Sequence, residues 1–461
     1  MKVYLETMGC QMNRLDSELA AGALRAAGHE IVSDAAQADA VLYNTCSVRL
    51  HAEQKVLSRV GADGRRKASG RPLVIGVLGC MTQRMGESLM RECPQVDLLC
   101  APGRLAELPE LLATAASGKP AIALDPPRTQ PVDASAETAL DRLDASRDPT
   151  GTPNPRQAFV RVMRGCDRFC TYCVVPYVRG PERSRRPGEV VEEVRRLADA
   201  GHSEITLLGQ RVNSYRYDGD GREVRLAELI EQVADVPGVR RLRFITSHPL
   251  SFTDDILYAM RDLPNVCEYL HVPAQSGSDQ VLRRMNRGYT RSDYDELIGR
   301  ARDIVPDIAL AGDFIVGFCG ETEQDHAASA ELIRCSGYKN CFVFKYSPRP
   351  GTVAEKRFSD DVPPEVKTRR IQELLTVQEQ VGLEHHRGHI GRTVEVLVEG
   401  VSPRADRQPT PPPQGQVQLT GRTRGDHVVV FDGPETLSGE YVQAEIIDAD
   451  SRTLFARLCG R

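Results

Sequence analysis

The sequence has 461 residues, which is long enough for about two or three domains with separate cores. Its composition, 41% hydrophobic and 27% charged, is typical of a globular protein. The formal net charge of −5 excludes a global attraction to a polyanion, so any nucleic-acid contact must come from local basic patches. No stretch approaches the roughly eighteen uninterrupted apolar residues of a membrane-spanning helix, so we expect no membrane partner.

The N-terminus and the thirteen cysteines together indicate the cellular compartment of the protein. The N-terminus lacks the apolar stretch of a signal peptide, so we expect a cytoplasmic protein, in a compartment where thiols stay reduced. An odd number of cysteines spread over a long chain argues against a disulfide framework. We therefore expect packing residues or metal ligands.

The N-terminal region, residues 1–117, alternates short apolar runs with helical patterns. Candidate strands lie at 3–5, 40–43 and 73–78, and helical segments lie between them. Strands that alternate with helices predict a parallel α/β sheet. The next segment, residues 118–151, is interrupted by prolines and rich in Ala, Asp, Thr and Arg, which predicts a partly disordered linker.

Residues 152–385 carry a longer series of strands and helices. Candidate strands lie at 159–162, 204–208, 241–245, 267–272, 308–316 and 341–346. The amphipathic segments between them predict an incomplete (βα)6 barrel, shorter than the usual eight units.

The C-terminal region, residues 386–461, has four segments of alternating character. They lie at 394–398, 416–419, 427–431 and 441–446, and they predict a small antiparallel β-barrel. A proline run at 411–413 marks a surface loop inside it.

The strongest motif is the C-x3-C-x2-C sequence of Cys166, Cys170 and Cys173. A zinc site would need a fourth ligand, commonly from a second CxxC pair, and an ordinary four-iron ferredoxin cluster also takes four cysteines. Three thiolates therefore leave one iron open to an external chelate, such as the amino and carboxylate groups of S-adenosylmethionine (SAM). The motif follows the first barrel strand, at the end where barrel active sites form. The alternative is three packing cysteines in a turn.

A second triad is spread over the N-terminal region. Cys10, Cys46 and Cys80 each follow one of the three candidate strands. Ligands of open parallel sheets bind outside the carboxyl ends of the strands, so we expect these cysteines to converge on a second cluster with an open iron. Buried structural cysteines are the alternative, and Cys93 and Cys100 are possible substitute ligands.

These motifs resemble a known family. C-x3-C-x2-C with Tyr172 before the last cysteine is similar to the signature of radical SAM enzymes. The stretches 9–18, 44–49 and 79–81 resemble the methylthiotransferases among them, and 52–56, 208–215 and 346–352 resemble the tRNA dimethylallyl-adenosine methylthiotransferases. The C-terminal barrel resembles the RNA-binding TRAM module, with Gly421-Arg422-Thr423-Arg424 in the expected place. Leu50-His51 and Cys319 depart from the family pattern without touching a cluster cysteine.

The resemblance implies an activity and its cofactors. Two [4Fe-4S] clusters and SAM are expected, with all six cysteines as metal ligands in the catalytic machinery. The cluster on Cys166, Cys170 and Cys173 would cleave SAM to a radical, and the cluster on Cys10, Cys46 and Cys80 would supply sulfur. The product would carry a methylthio group at C2 of N6-dimethylallyl-adenosine beside the tRNA anticodon.

Weaker expectations concern ligand contacts. Polar or glycine residues at barrel strand ends are candidate SAM contacts, although each is as easily explained by a turn or by packing: Gln210, Asn213, Ser247, Gln275 and Gly317. Arginines near the cluster loop and in the C-terminal barrel are candidate RNA contacts, with a solvated charge run as the alternative: Arg179, Arg183, Arg185, Arg422 and Arg424.

The implied partners are a tRNA substrate, a flavodoxin- or ferredoxin-like electron donor and a sulfur donor, with a monomer as the default state. Two sister activities share the motifs, namely methylthiolation of an aspartate in a ribosomal protein and of threonylcarbamoyl-adenosine in tRNA. A non-enzymatic iron–sulfur or RNA-binding module is the alternative from another class.

Overall fold

The computed structural model describes residues 1–47, 50–130, 133–151, 154–219, 221–405 and 412–459. The chain divides into two compact units. The first consists of residues 1–153, 158–202 and 206–224, and the second of 154–157, 203–205 and 225–461. Among the described helices, none is long and apolar enough to cross a membrane.

The first unit begins with a six-stranded sheet whose neighbouring strands all run parallel. Its strands are β1 (Lys2–Met8), β2 (Glu30–Val32), β3 (Ala40–Thr45), β4 (Val74–Gly79), β5 (Leu98–Cys100) and β6 (Ala121–Ala123), in the order β2-β1-β3-β4-β5-β6. The helices are α1 (Gln11–Ala26), α2 (Leu50–Ala68), α3 (Cys80–Met85), α4 (Ser88–Glu92) and α5 (Leu108–Ala116). The predicted parallel sheet is confirmed.

Both faces of this sheet are covered. Successive residues of a strand point to opposite faces, so Leu42 and Tyr43 of β3 enter different cores. Leu42 packs in a cluster with Leu24 of α1, and Tyr43 packs in a cluster with Val56 of α2. This double burial explains why β3 and β4 are apolar with little alternation.

The prediction of a partly disordered linker is wrong for the described part of residues 118–151. Strand β6 ends the sheet, and α6 (Ala134–Ala145) follows, with the Asp133 side chain accepting from the backbone N–H of Ser135 and Ala136. Leu140 of α6 is buried in the core of the first unit. Pro131 and Val132 lie outside the described residues.

The elements that follow in the first unit hold the C-x3-C-x2-C motif. Wholly or for most of their length in this unit, they are β7 (Gln157–Arg161), β8 (Met163–Arg164), α7 (Val175–Val178), β9 (Arg183–Ser184), α8 (Pro187–Asp199), β10 (Glu204–Leu208), β11 (Arg216–Gly219) and β12 (Arg222–Arg225). Val162, after β7, donates to the carbonyl of Leu208 in β10 at 2.9 Å. Strands β8 and β9 pair antiparallel and close the base of the loop that contains the motif.

The second unit continues the alternation of strands and helices. Its elements are α9 (Leu226–Ala234), β13 (Arg241–Ile245), α10 (Asp254–Asp262), β14 (Tyr269–His271), α11 (Asp279–Arg284), α12 (Arg291–Ile304), β15 (Ala309–Val316), α13 (Glu323–Ser336), β16 (Asn340–Lys345), α14 (Val353–Arg357) and α15 (Pro364–Arg387). Strands β14, β15 and β16 form a parallel sheet. All six strands predicted for the (βα)6 region are present.

The second unit ends in a closed five-stranded barrel. Its strands are β17 (Thr393–Val401), β18 (Val417–Arg422), β19 (Val428–Gly433), β20 (Tyr441–Ala449) and β21 (Thr453–Leu458), in the order β17-β18-β19-β21-β20. The predicted barrel is confirmed, with two corrections. Strand β21 was not among the four predicted strands, and it pairs in parallel with β19, so the barrel is not wholly antiparallel. Residues 406–411, which include the start of the predicted proline loop, lie outside the described residues.

Candidate metal centres

The dispersed cysteines meet at one edge of the N-terminal sheet. Cys10, Cys46 and Cys80 lie just beyond the carboxyl ends of β1, β3 and β4, which are neighbours in the sheet. The register pairs Met8 with Thr45 and Thr45 with Gly79, so the three strands end level with one another. Three distant parts of the sequence thus place a cysteine at the same sheet edge, as predicted.

Buried amides hold these strand ends together. The Asn13 side chain donates to Asn44 Oδ1 at 3.2 Å, and the Asn44 side chain donates to Asn13 O and Ser17 Oγ, both at 2.9 Å. Gly79 has a φ of +93°, and a Cβ there would lie 2.4 Å from Asn44 Oδ1. The turn before Cys80 therefore requires glycine where it passes against Asn44, and the amide hydrogen bonds join the segments that carry Cys10 and Cys46.

The Cys10 thiol ionises more readily than an ordinary cysteine thiol. A hydrogen bond with the Cys46 side chain lowers the pKa of Cys10 to about 6, against the effect of burial and with help from the charge of Arg179. Burial raises the pKa of the Cys80 thiol, and the nearby Arg179 opposes that rise. Thiolates are the form that binds metal, and the site provides hydrogen bonds and positive charge for them.

The second triad lies in a tight loop. The backbone N–H of Cys166 donates to Gly180 O at 3.2 Å, and that of Cys173 donates to Cys170 O at 2.9 Å. Gly165 has a φ of +72°, and a Cβ there would lie 1.8 Å from Pro181 O. The returning chain therefore passes directly against the start of the motif, and only glycine fits at that point.

Arg128, from the segment predicted to be a linker, fastens this loop. Its Nη1 donates to the carbonyls of Cys166 and Pro176, each at 3.2 Å, and of Gly180 at 3.0 Å. Its guanidinium also lies 4.5 Å from the ring centre of Phe169, within the cation–π range. One side chain thus joins both ends of the cluster loop, and no local motif in the sequence pointed to it.

The two triads are neighbours within the first unit. Cys80 packs against Val174 and Val178, in the chain that follows Cys173. Arg179, directly after α7, donates through Nε to Cys80 Sγ at 3.2 Å and through Nη2 to Asp16 Oδ2 at 2.7 Å. The peptide that leaves one triad therefore contacts a cysteine of the other.

A buried ion network supports this contact. Asp16 also accepts from Arg161 of β7 at 3.0 Å, and Arg161 pairs with Asp144 of α6 at 2.7 Å. Arg161, Asp16 and Asp144 are each at most 1% exposed. Buried charges require partners of this kind, and here the partners come from α1, α6 and β7.

The cysteine geometry fits clusters better than single ions. Among the described residues, neither triad brings three sulfur atoms within 4.8 Å of one another, the spacing for a shared ion. In a cubane cluster each thiolate binds a different iron, so the ligands need not lie that close. The donor set, three cysteines in each site, suits a cluster with one iron open to another ligand.

Two of the predicted SAM contacts have buried polar atoms without a hydrogen-bond partner among the described residues. In the described part of the chain, Gln210 Oε1 in the first unit and Ser247 Oγ in the second have no hydrogen-bond partner. Such atoms are costly to bury unless something satisfies them. Asn213 is also buried, at 7% exposed.

The other two predicted SAM contacts have structural roles. Gln275 has a φ of +70°, and its backbone N–H donates to Asp313 O at 2.7 Å. Gly317 donates to Glu321 Oε2 at 2.6 Å, and a Cβ there would lie 2.3 Å from Lys367 Cγ. For Gly317 the structure thus supports the turn and packing alternative.

The candidate RNA contacts divide into buried and accessible arginines. Arg179 contacts Asp16 and Cys80, and Arg185, 4% exposed, donates to Glu193 at 2.6 Å. Both guanidinium groups are enclosed by the first unit, so the predicted phosphate contact is wrong for these two. Arg183 is 45% exposed and pairs with Glu137.

In the C-terminal barrel, Arg422 pairs with Glu399 and Asp426 at 3.2 and 3.0 Å, and Arg424 pairs with Glu268 at 2.6 Å. Both are partly exposed and remain predicted RNA contacts. Of the substitute ligands considered, Cys100 is the last residue of β5 and is buried in one core of the sheet, and Cys93 packs against the other core.

Comparison with known proteins matches three parts of the chain to family models. Residues 160–333 match the radical SAM superfamily, residues 389–459 match the TRAM domain, and residues 2–101 match a family described as uncharacterized protein family UPF0004. A radical SAM methyltransferase, TsrM, from Kitasatospora setae has a similar fold, with a TM-score of 0.55 at 15% identity over 77% of this chain and 74% of that one.

Full-length relatives are much more similar in sequence. The tRNA-2-methylthio-N(6)-dimethylallyladenosine synthase of Rhodopirellula baltica is 46% identical over 99% of this chain and 95% of its own. That of Phocaeicola vulgatus is 42% identical over 98% of this chain and 95% of its own. The chain is therefore a radical SAM protein with a C-terminal TRAM domain. Within that class it belongs to the family of the tRNA-2-methylthio-N(6)-dimethylallyladenosine synthases.

Proposed function

We propose that the protein adds a methylthio group to C2 of N6-dimethylallyl-adenosine beside the anticodon of tRNA. The observation that carries this proposal is the contact between the two triads, in which Arg179 binds Cys80 six residues after Cys173. A plain electron carrier has no need of two neighbouring three-cysteine sites. The names of the full-length relatives supply the substrate class.

The cofactors are two [4Fe-4S] clusters and SAM. When bound, they supply a SAM-derived radical at one site and a transferable sulfur at the other. Cys166, Cys170 and Cys173 would hold the first cluster, and Cys10, Cys46 and Cys80 the second. The chain orients them: Arg128 fixes the first loop, and the amides of Asn13 and Asn44 fix the second site.

Several finer assignments belong to the same proposal. Gln210, Asn213 and Ser247 would bind SAM, and Gln275 would shape the backbone beside it. Arg183, Arg422 and Arg424 would contact RNA phosphates. A flavodoxin- or ferredoxin-like protein would supply electrons and a separate donor would supply sulfur, to a cytoplasmic monomer with domain boundaries at 117, 151 and 385.

The decisive experiment is mass spectrometry of tRNA nucleosides. Anaerobically reconstituted protein is incubated with SAM, sulfide, a reductant and tRNA that carries dimethylallyl-adenosine. We expect the 2-methylthio derivative of that nucleoside, and deoxyadenosine as a co-product. The same tRNA without the dimethylallyl group is the substrate control.

The sister activities are tested in parallel with tRNA carrying threonylcarbamoyl-adenosine and with the aspartate-containing ribosomal protein. Methylthiolation of either of these, with none of dimethylallyl-adenosine, would contradict the proposed substrate. A failure to form deoxyadenosine under any condition would contradict radical SAM chemistry altogether.

A further inference from the structure

A cluster of histidines lies in the second unit, apart from both cysteine triads in the sequence. His385 belongs to the last turn of α15, His389 follows that helix, and His427 immediately precedes β19. Among the described residues, this is the one group of three such side chains whose potential ligand atoms all lie within 4.8 Å of one another.

The spacing of these nitrogens suits a small divalent cation. His385 Nε2 and His427 Nε2 are 2.9 Å apart. Two nitrogens bound to one tetrahedral zinc are about 3.3 Å apart, given Zn–N bonds of about 2.0–2.1 Å. In addition, His389 lies two residues beyond the end of α15, and its ring centre is 5.2 Å from that of His385.

Hydrogen bonds already orient two of the rings. His389 Nδ1 lies 3.1 Å from the carbonyl of His385, which can only accept, so Nδ1 carries the proton and Nε2 keeps a free lone pair. His427 Nδ1 lies 3.0 Å from Thr423 Oγ1. With its proton on Nδ1, His427 likewise presents Nε2. Partners of this kind fix the tautomer of metal-bound histidines.

A buried cation beside the group has its own acidic partner. The Lys339 ammonium pairs at 2.9 Å with the carboxylate of Asp426, the residue before His427, which offsets the charge of Lys339. Neutral imidazole is the form that binds metal.

We propose that His385, His389 and His427 form a zinc site that ties the end of α15 to the C-terminal barrel. Imidazole nitrogen donors favour zinc and its late transition-metal neighbours over magnesium or calcium. His385 and His389 are half-buried, so a cation can reach the site from solvent and keep a water in the fourth position. The site is independent of the proposed function, since it uses none of the six cysteines.

The test uses the full chain with both cysteine sites filled by iron, because empty cysteine sites would also take up zinc. The protein is prepared anaerobically, equilibrated with a small excess of zinc and desalted. Zinc per chain is then measured, and X-ray absorption identifies the atoms around it. We expect about one zinc, with nitrogen or oxygen neighbours at about 2.0–2.1 Å and no sulfur at about 2.3 Å.

Matched variants separate the site from its surroundings. His389→Gln and His427→Gln each remove one ligand, and we expect zinc to fall to background in both. His389 is half-buried, so His389→Gln decides the matter if His427→Gln fails to fold. The control is His386→Gln, since His386 lies beside the group with its Nδ1 bound to Gly382 O at 2.7 Å. This variant should keep its zinc.

Three results would overturn the proposal. The first is no zinc in the wild-type chain, which would make the group a hydrogen-bonded packing cluster. The second is sulfur around the zinc, which would place the metal in a cysteine site. The third is zinc that survives His389→Gln or is lost in His386→Gln, since either would refute the ligand set.

Discussion

The two cysteine triads are held by different kinds of backbone. Cys166, Cys170 and Cys173 share one short loop, closed by the β8–β9 pair and fastened from outside by Arg128. Cys10, Cys46 and Cys80 share no loop and depend on three parallel strands that end level with one another. The first site is thus local, whereas the second exists only if the sheet has formed.

This difference predicts which substitutions will damage each site. The ligands of a local loop are close in sequence. Such a site therefore loses function mainly when a ligand is removed, or when a side chain that fastens the loop, such as Arg128, is removed. A site assembled across strands also depends on the residues that join the strand ends, such as Asn13 and Asn44. Five substitutions separate these two modes, and they are given in order of expected effect.

The largest effect should come from the ligands themselves. Cys166→Ala should abolish both deoxyadenosine and methylthio product, whereas Cys10→Ala should abolish the product while sparing SAM cleavage. Iron should fall from about eight to about four atoms per chain in each. Product and deoxyadenosine are measured together by mass spectrometry. If Cys10→Ala still makes methylthio-adenosine, the N-terminal triad has a different role.

Arg179→Ala should have the next largest effect, because it removes the contact between the triads. Breaking a buried ion pair by deleting one partner costs about 3–5 kcal/mol, and loss of a residue that orients ligands costs about 10- to 100-fold in metal affinity or activity. We expect less product for each SAM cleaved. Arg195→Ala, at a side chain 51% exposed, is the control. Equal loss of product and deoxyadenosine would instead indicate general unfolding.

Arg128→Ala should affect the local site first. With three backbone carbonyls deprived of their donor, the rate of SAM cleavage should fall about tenfold, the lower end of the range for residues that orient metal ligands. Arg128→Lys should recover part of the rate, because it restores one charged donor. Arg142→Ala, an exposed position on α6, is the control. A normal rate of SAM cleavage in Arg128→Ala would show that the loop keeps its structure without Arg128.

Asn44→Ala should have the smallest effect, and that effect should be confined to the N-terminal triad. The substitution removes the acceptor of the buried Asn13 side-chain amide, at a cost of about 1–3 kcal/mol, whereas Ser17 Oγ still accepts from Thr7. Thermal unfolding should shift to lower temperature, and iron should be lost from the N-terminal triad before the other. The exposed amide of Gln37 provides the control, Gln37→Ala. Equal iron loss from both triads would contradict the separation of the two sites.

Much of the fold was predictable because it follows from hydrophobic periodicity. The six strands of the (βα)6 region, the parallel N-terminal sheet and the C-terminal barrel all appear where the patterns place them. The helix α6 was missed because prolines and small residues around it suggested an irregular linker. Its stability comes from Leu140 in the core and from the pairing of Asp144 with Arg161, which no local pattern reveals.

The arginines mark the limit of sequence-based inference for the site. Arg179 and Arg185 belong to a basic run that suggested phosphate contacts, yet both are buried against acidic partners. The partner of Arg179, Asp16, lies 163 residues earlier in the chain. Likewise, His385 and His427 are 42 residues apart, so their contact could not be inferred from the His385-x3-His389 spacing alone.

The sequence by itself determined the chemistry of the ligands. The spacing of Cys166, Cys170 and Cys173 constrains a single loop, and cysteines at three strand ends must converge once the strands are parallel neighbours. The tertiary structure alone decided which side chains serve those sites. An arginine can be buried against a cysteine only if acidic side chains from distant segments lie beside it. The reason is that a buried charge requires a partner of opposite charge.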